Sequence, residues 1–211
     1  MSYRIRHLKD LRITPRPYFL DANVWLYFMQ GEFLSHDPYG VVPYQKTYHQ
    51  RYHTLVTRLF EADGARIALP ALIVSEVVNA FMKKFMMPTN LRMLGSSDQE
   101  VKGASLKHHY RDNKESNYSE AMSFLVTQFL SFYEADKIEA CDMNFKNKTN
   151  AYDVLSNFSK MNNTDFNDYC YYELCADRQW PMITDDSDFC FPVIEIYTYN
   201  EKMLRRAGVR C

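Results

Sequence analysis

Apolar residues along this chain follow two alternating patterns. Short runs at Tyr18–Leu20, Arg66–Leu69, Met182–Thr184 and Val193–Tyr197 are mostly apolar and rich in β-branched or aromatic residues. That is the composition of strands buried on both faces of a parallel sheet. Between them lie stripes with a helical period. Tyr48, Tyr52, Leu55, Val56 and Leu59 form the first, Ile73, Val77, Phe81 and Phe85 the second, and Met122, Leu125, Val126, Phe129 and Tyr133 the third. A fifth strand, weakly marked, falls near Lys137–Ala140. Strands that alternate with helices predict an α/β fold of three layers, a mostly parallel central sheet with helices on both faces.

Two stretches fit neither pattern. Gln30–Thr47 contains Pro38, Gly40 and Pro43 and reads as a long loop. Gly95–Asn117 is polar and without period, an insertion of the length that compact domains keep for lids or leave disordered. The chain shows no internal repeat and no Pro/Gly/Ser-rich linker, so its 211 residues read as one domain. Its core covers about residues 18–197, and residues 1–17 form a basic extension.

Composition narrows the picture. Tyr and Phe supply 16 and 14 residues, a high aromatic share, yet no apolar run is long enough to span a membrane. The first residues are basic without an apolar stretch behind them, unlike a secretory signal. Five cysteines at irregular spacing argue against a disulfide framework and for a reducing cytoplasm. The net charge of −1 conceals an uneven distribution. Residues 1–17 carry Arg4, Arg6, Lys9, Arg12 and Arg16 against Asp10 alone, a run that reads by itself as a solvated face. Residues 83–114 hold seven Lys/Arg against three acids, whereas from Glu115 to Asp188 acids outnumber bases fourteen to five. Basic flanks of this kind could hold a polyanion while an acidic centre holds metal.

The chemistry rests on carboxylates. The six glycines form no phosphate cradle or dinucleotide fingerprint, and the chain has neither an HExxH pair nor a GxSxG elbow. Four acidic segments remain: Asp21 with Asn23 in YFLDANVWLY, Glu76 in LPALIVSEVVNAF, Asp165 with Asp168 in NNTDFNDYCYY, and Asp186 with Asp188 in MITDDSDF. Most of them have local explanations as well. Asp21 or Asn23 could simply cap a helix. Glu76 lies off the Ile73–Val77–Phe81 stripe, as a solvated residue would. Asp165 and Asp168 share a face at a helix start, behind a cap at Asn163 or Thr164, and favour the helix dipole there. Three carboxylates within the four residues Asp185–Asp188 exceed what a turn requires. Carboxylates brought to the carboxyl ends of a parallel sheet repel one another unless a cation joins them, and an all-oxygen set suits Mg²⁺ or Mn²⁺.

The four motifs, in this order and spacing, resemble the PIN-domain ribonuclease family from Tyr18 to about Tyr197. LDANVWLY is similar to that family's opening LDxN motif, Glu76 takes the place of its second acid, and TDDSDF resembles its closing TxDxxF motif through Thr184, Asp186 and Asp188. Asp168, sixteen residues before Thr184, matches the third acid better than Asp165 does. The resemblance implies RNA cleavage by the catalytic acids Asp21, Glu76, Asp168 and Asp186, dependent on Mg²⁺ or Mn²⁺ held by these four and Asp188, with Asn23, Thr184 and Asp165 in support. Many members are VapC-like toxins of toxin–antitoxin pairs that act as homodimers and are silenced by an antitoxin protein. Lys83, two helical turns from Glu76, could meet a substrate phosphate, as could Lys102, Lys107, Arg111 and Lys114. Two other readings compete. One is a non-catalytic RNA- or partner-binding module on the same fold. The other is a haloacid-dehalogenase-like phosphatase, which would need an acid where Asn23 stands.

Overall fold

Six strands, all parallel, form one sheet in the order β1-β6-β5-β2-β3-β4. The strands are β1 (Arg4–His7), β2 (Pro17–Leu20), β3 (Arg66–Ala68), β4 (Ile138–Glu139), β5 (Met182–Ile183) and β6 (Glu195–Thr198). The computed structural model describes residues 4–35, 47–87, 118–142, 151–158, 165–189 and 191–209. Within them lie helices α1 (Ala22–Ser35), α2 (Thr47–Glu61), α3 (Ala71–Phe81), α4 (Tyr118–Glu134), α5 (Ala151–Phe158), α6 (Phe166–Arg178) and α7 (Glu201–Arg206). No described helix is long and apolar enough to cross a membrane.

The connections explain where a site can form. From β2 the chain moves outward to β3 and then β4; it then returns across the sheet to β5 on the other side of β2 and moves outward again to β6. Parallel crossovers are right-handed, so a reversal of direction transfers the connecting helices to the opposite face. The reversal opens a crevice between β2 and β5 at their carboxyl ends, the place where ligands of open α/β sheets bind. Packing agrees with this layout. Helix α1 packs on both α2 and α3, while α6 meets β2 through the Tyr171 and Phe19 rings, whose centroids are 5.2 Å apart.

Tyr18, Phe19 and Leu20 of β2 are fully buried, which is why the central strand reads as an unbroken apolar run. Trp25 of α1 is buried among Phe28, Phe60, Phe129 and Phe132, and the last joins Phe60 in a stacked pair at 4.5 Å. This aromatic cluster ties α4 to α1 and α2.

Several expectations shift. The basic N-terminal segment is not just a solvated extension: Ile5 is buried, and Arg4–His7 pairs with Glu195–Thr198 as an edge strand. Within β1 only Ile5 is buried, so its charged residues hide the strand pattern. The first six residues of the expected Gln30–Thr47 loop belong to α1, whose apolar run continues through Phe33 and Leu34; residues 36–46 lie outside the described ones. The third stripe divides. Leu125 and Phe129 are buried, whereas Val126 and Tyr133 join Leu130 on an exposed face. The insertion Gly95–Asn117, with Lys102, Lys107, Arg111 and Lys114, lies outside the described residues.

Candidate functional site

The candidate site starts from the end of β2. The Asp21 amide donates to the Ile183 carbonyl at 3.0 Å, continuing the sheet by one residue. Its carbonyl accepts from Val24 and Trp25, so its backbone begins α1 as a cap would. Its buried carboxylate does more than cap. It receives the Thr184 hydroxyl at 2.9 Å and lies close to the Ala22 amide. Thr184, fully buried after β5, joins two acids, because the same oxygen accepts the Asp186 amide at 2.9 Å. Asp186 in turn accepts the Asp188 amide at 2.9 Å, and its carbonyl accepts the Phe189 amide at 3.3 Å. These bonds fold TDDSDF into a tight turn over the carboxyl end of β5.

Two helices supply the other acids. In α3, Ile73, Val77 and Phe81 face the core and leave Glu76 half-buried to one side, where it accepts a hydrogen bond from the Asn167 side chain of α6. The reading of Glu76 as a solvated helix residue therefore does not hold. The start of α6 lies at the carboxyl ends of the strands because α6 precedes β5 and runs opposite to it. Asp165 is its N-cap, and its carboxylate accepts the Asp168 amide at 2.8 Å. The cap is thus Asp165 itself; Asn163 and Thr164 lie outside the described residues. Asp165 stays exposed, while Asp168, in the first turn, is partly buried.

Electrostatics shows which acids share a space. Burial pushes the Asp21 carboxyl up to about 7 against the stabilising Thr184 bond, with Asp186 and Glu76 adding repulsion. Burial likewise pushes Asp168 up to about 8, with Asp165, Asp21, Asp186 and Glu76 all raising it further. Asp21, Glu76, Asp168 and Asp186, delivered by β2, α3, α6 and the turn after β5, therefore lie close enough together for their charges to interact at the carboxyl end of the sheet. Asp188 is exposed and accepts from Ser187 Oγ at 3.3 Å. Asn23 lies half-buried in the first turn of α1, and among the described residues no hydrogen bond joins it to the acids. Lys83 is exposed on the π-helical turn Met82–Met86, which breaks the regular α-helical register counted from Glu76.

The structure adds residues that the motifs do not mark. Tyr171, one turn after Asp168, is almost completely buried, yet its hydroxyl has no partner in hydrogen-bond geometry. Burial, then the Glu76 carboxylate, which lies near the hydroxyl but outside hydrogen-bond geometry, and then Asp21 and Asp168 raise its pKa, so the hydroxyl sits beside the acids. An unpaired buried hydroxyl costs about 1–3 kcal/mol, which a ligand in the crevice could recover. Asp185 has a different task. Its carboxylate accepts Tyr27 at 2.8 Å and Tyr52 at 3.1 Å, and its carbonyl accepts Asn200 Nδ2 at 2.6 Å. Tyr52 shares that one hydroxyl proton with the Thr184 carbonyl, also at 3.1 Å, and accepts the Tyr199 amide at 2.9 Å. The first acid of the DD pair thus anchors the turn to α1 and α2 and leaves Asp186 to face the crevice. Only the aromatic residues of the Tyr48–Leu59 stripe hinted at such an anchor, and there Tyr52 reads simply as core.

Oxygen donors without a compensating charge fit a hard divalent cation. Among the described residues no three side chains form a ready-made metal cage. Mg²⁺ retains several waters and needs only one or two direct carboxylates, so an open acidic crevice suits it better than a closed cage. Compared with known proteins, the chain matches no family model and no curated protein is significantly similar to it.

Proposed function

We propose that the protein is a ribonuclease of PIN type that hydrolyses RNA phosphodiester bonds with Mg²⁺ or Mn²⁺ at Asp21, Glu76, Asp168 and Asp186. The observation that carries this reading is the meeting of four acids from four distant segments in one crevice, two of them held at about 7 and 8 by burial and mutual repulsion. Perturbed carboxylates beside a topological switch point are what a cation-dependent site requires.

A bound divalent ion would supply charge neutralisation, a water acidified toward neutral pH and polarisation of the phosphoryl oxygen. The chain's own residues prepare the place. Thr184 fixes Asp21 and Asp186 relative to each other through one hydroxyl. Asn167 orients Glu76 from α6, and the Asp165 cap sets the first turn that carries Asp168. Asp185 stays bonded to Tyr27 and Tyr52 and keeps the turn after β5 from relaxing toward solvent. Tyr171 offers a hydroxyl to an oxygen entering the crevice, either a water or a phosphate.

The test is cleavage of a labelled RNA by the purified protein. Activity should require Mg²⁺ or Mn²⁺ and stop with EDTA. Turnover that persists in EDTA, or no turnover on any RNA despite bound metal, would overturn the reading, the latter in favour of a binding module. Within the same reading the chain acts as a homodimeric toxin restrained by an antitoxin protein. Expression of the wild type, but not of Asp21→Asn, should then arrest growth.

A further inference from the structure

A second opening lies on the same edge of the sheet, two strands from the acids. It has a volume of about 270 Å³ and is lined by Lys9, Gln50, Arg51, Thr54, Arg58 and Tyr199 among others. Lys9 comes from the short 3₁₀ turn after β1, Arg51 and Arg58 from the exposed side of α2, and Tyr199 from the residue after β6. Because β1 and β6 are parallel to β2 and β5, this opening and the acid crevice face the same way. Neighbouring strands are about 4.8 Å apart, so roughly 10 Å separates the two along the edge.

The charge here is uncompensated. Arg6, Arg16, Arg66, Arg178 and Arg205 each pair with a carboxylate, whereas Lys9, Arg51 and Arg58 form no ion pair with any described residue. The Arg51 guanidinium lies 5.4 Å from the Tyr199 ring centroid, and His7 meets the same ring edge-on at 5.3 Å. The His7 pKa is lowered, first by burial and then by Lys9, with Arg51 adding to the effect against Asp10, so the local field is positive. The basic surface continues toward the acids. In α7, Lys202 reaches Ser187 Oγ at 3.4 Å and Arg206 donates to the Ser187 carbonyl at 3.1 Å, immediately beside Asp186. The wall of the opening is also tied to the catalytic turn, since Tyr52 bonds both Asp185 and the Tyr199 amide.

We propose that this opening is a phosphate subsite in which Lys9, Arg51 and Arg58 hold consecutive phosphates of one RNA strand and lead it past Lys202 and Arg206 to the acids. The proposal rests on the ribonuclease reading for its substrate. Its physical basis is independent of that reading, namely three unpaired cations around a cavity that shares an edge and a hydrogen-bond network with the acid crevice. Cations that contact phosphates confer affinity with little sequence preference, and each contact to a single strand contributes about −0.7 to the slope of log K against log salt. The edge strand β1 brings Lys9 to this place, which gives the basic N-terminal segment a function that its sequence does not declare.

The experiment is binding of a single-stranded RNA oligonucleotide across a salt series, in an Asp186→Asn background that prevents cleavage. Replacing Lys9, Arg51 and Arg58 together by Gln should make the slope shallower by roughly 2 and weaken binding at low salt by at least about tenfold. Arg51→Gln alone should change the slope by roughly 0.7. Arg66→Gln, at the opposite end of the sheet and paired with Asp136 and Glu139, should leave it unchanged. All three residues are exposed, so the melting temperature should stay within a few degrees. An unchanged slope in the folded triple variant overturns the subsite. So does a loss of affinity for polyglutamate without a loss for RNA, which would assign the opening to an acidic protein partner. In the Asp186 wild-type background, a triple variant with raised KM and preserved kcat supports the subsite. If the wild type cleaves no RNA but the slope still responds, the hydrolytic reading fails and the subsite stands.

Discussion

The aromatic cluster around Trp25 and the acid crevice lie on either side of Asp21, yet they are built on opposite terms. In the cluster, rings from α1, α2 and α4 fill space against one another, and apolar packing carries the region although the buried Trp25 Nε1 at its centre has no hydrogen-bond partner. In the crevice, Asp21 and Asp168 are held where their charged forms are disfavoured, and the Tyr171 hydroxyl is buried without a partner. One region stabilises the fold. The other opposes it, and such a region persists when a ligand or a reaction uses it. The two should therefore respond to different perturbations.

The largest effect on the fold should come from Trp25→Ala, which removes a fully buried indole at a cost of about 3–5 kcal/mol. Thermal unfolding should show the loss, and the rise in melting temperature on adding Mg²⁺ should survive in whatever folded protein remains. A variant that lost both together would mean that the two regions are not separate. Asp21→Asn reverses the pattern. RNA cleavage should fall by at least about two orders of magnitude, in keeping with several kcal/mol of transition-state stabilisation by a bound ion. The metal-free protein should melt no lower than the wild type, since a buried, repelled charge has been removed. Full activity in this variant would end the comparison.

Smaller effects sharpen the contrast. Asp21 and Asp168 titrate near 7 and 8 in the folded chain and near 4 when unfolded, so the folded state holds more protons between those limits. Stability of the metal-free protein should therefore fall as pH rises from about 4, and the loss should be complete above about pH 8. Metal requires the ionised carboxylates, so the melting-temperature gain from Mg²⁺ should grow over the same range. A gain independent of pH would place the ion elsewhere. Tyr171→Phe should raise metal-free stability by about 1 kcal/mol, the lower end of the cost of an unpaired buried hydroxyl, while slowing cleavage by about tenfold or less. Movement of both quantities in the same direction would assign the hydroxyl a purely structural part.

The sequence disclosed the two regions unequally. Buried central strands are written as apolar runs, so β2, β3, β5 and β6 were legible to within one or two residues. The edge strand β1 was not, because only Ile5 is buried while Arg4, Arg6 and His7 face outward or sideways. Four acidic segments were legible as a set, since their repulsion needs a reason. Their division of labour was not. Asp185 and Asp186 are adjacent and chemically identical, and only the positions of Tyr27 and Tyr52, more than a hundred residues away in sequence, make one an anchor and the other a crevice acid. Asp165 and Asp168 separate for a local reason, a capping bond to the Asp168 amide. Tyr171 reads in sequence as one more core aromatic, and its isolation is a property of the folded surroundings.

The central claim is that the crevice acids hold a divalent cation, and direct binding of Mn²⁺ tests it most closely. Titrated above about pH 8, where both perturbed carboxylates are ionised, the wild type should bind Mn²⁺ with a well-defined stoichiometry, by calorimetry or by loss of the free-ion electron paramagnetic resonance signal. Asp168→Asn should weaken that binding by at least about tenfold, while Asp165→Asn should change it much less. Absence of saturable Mn²⁺ binding to the wild type, or equal binding by Asp168→Asn, would contradict the account.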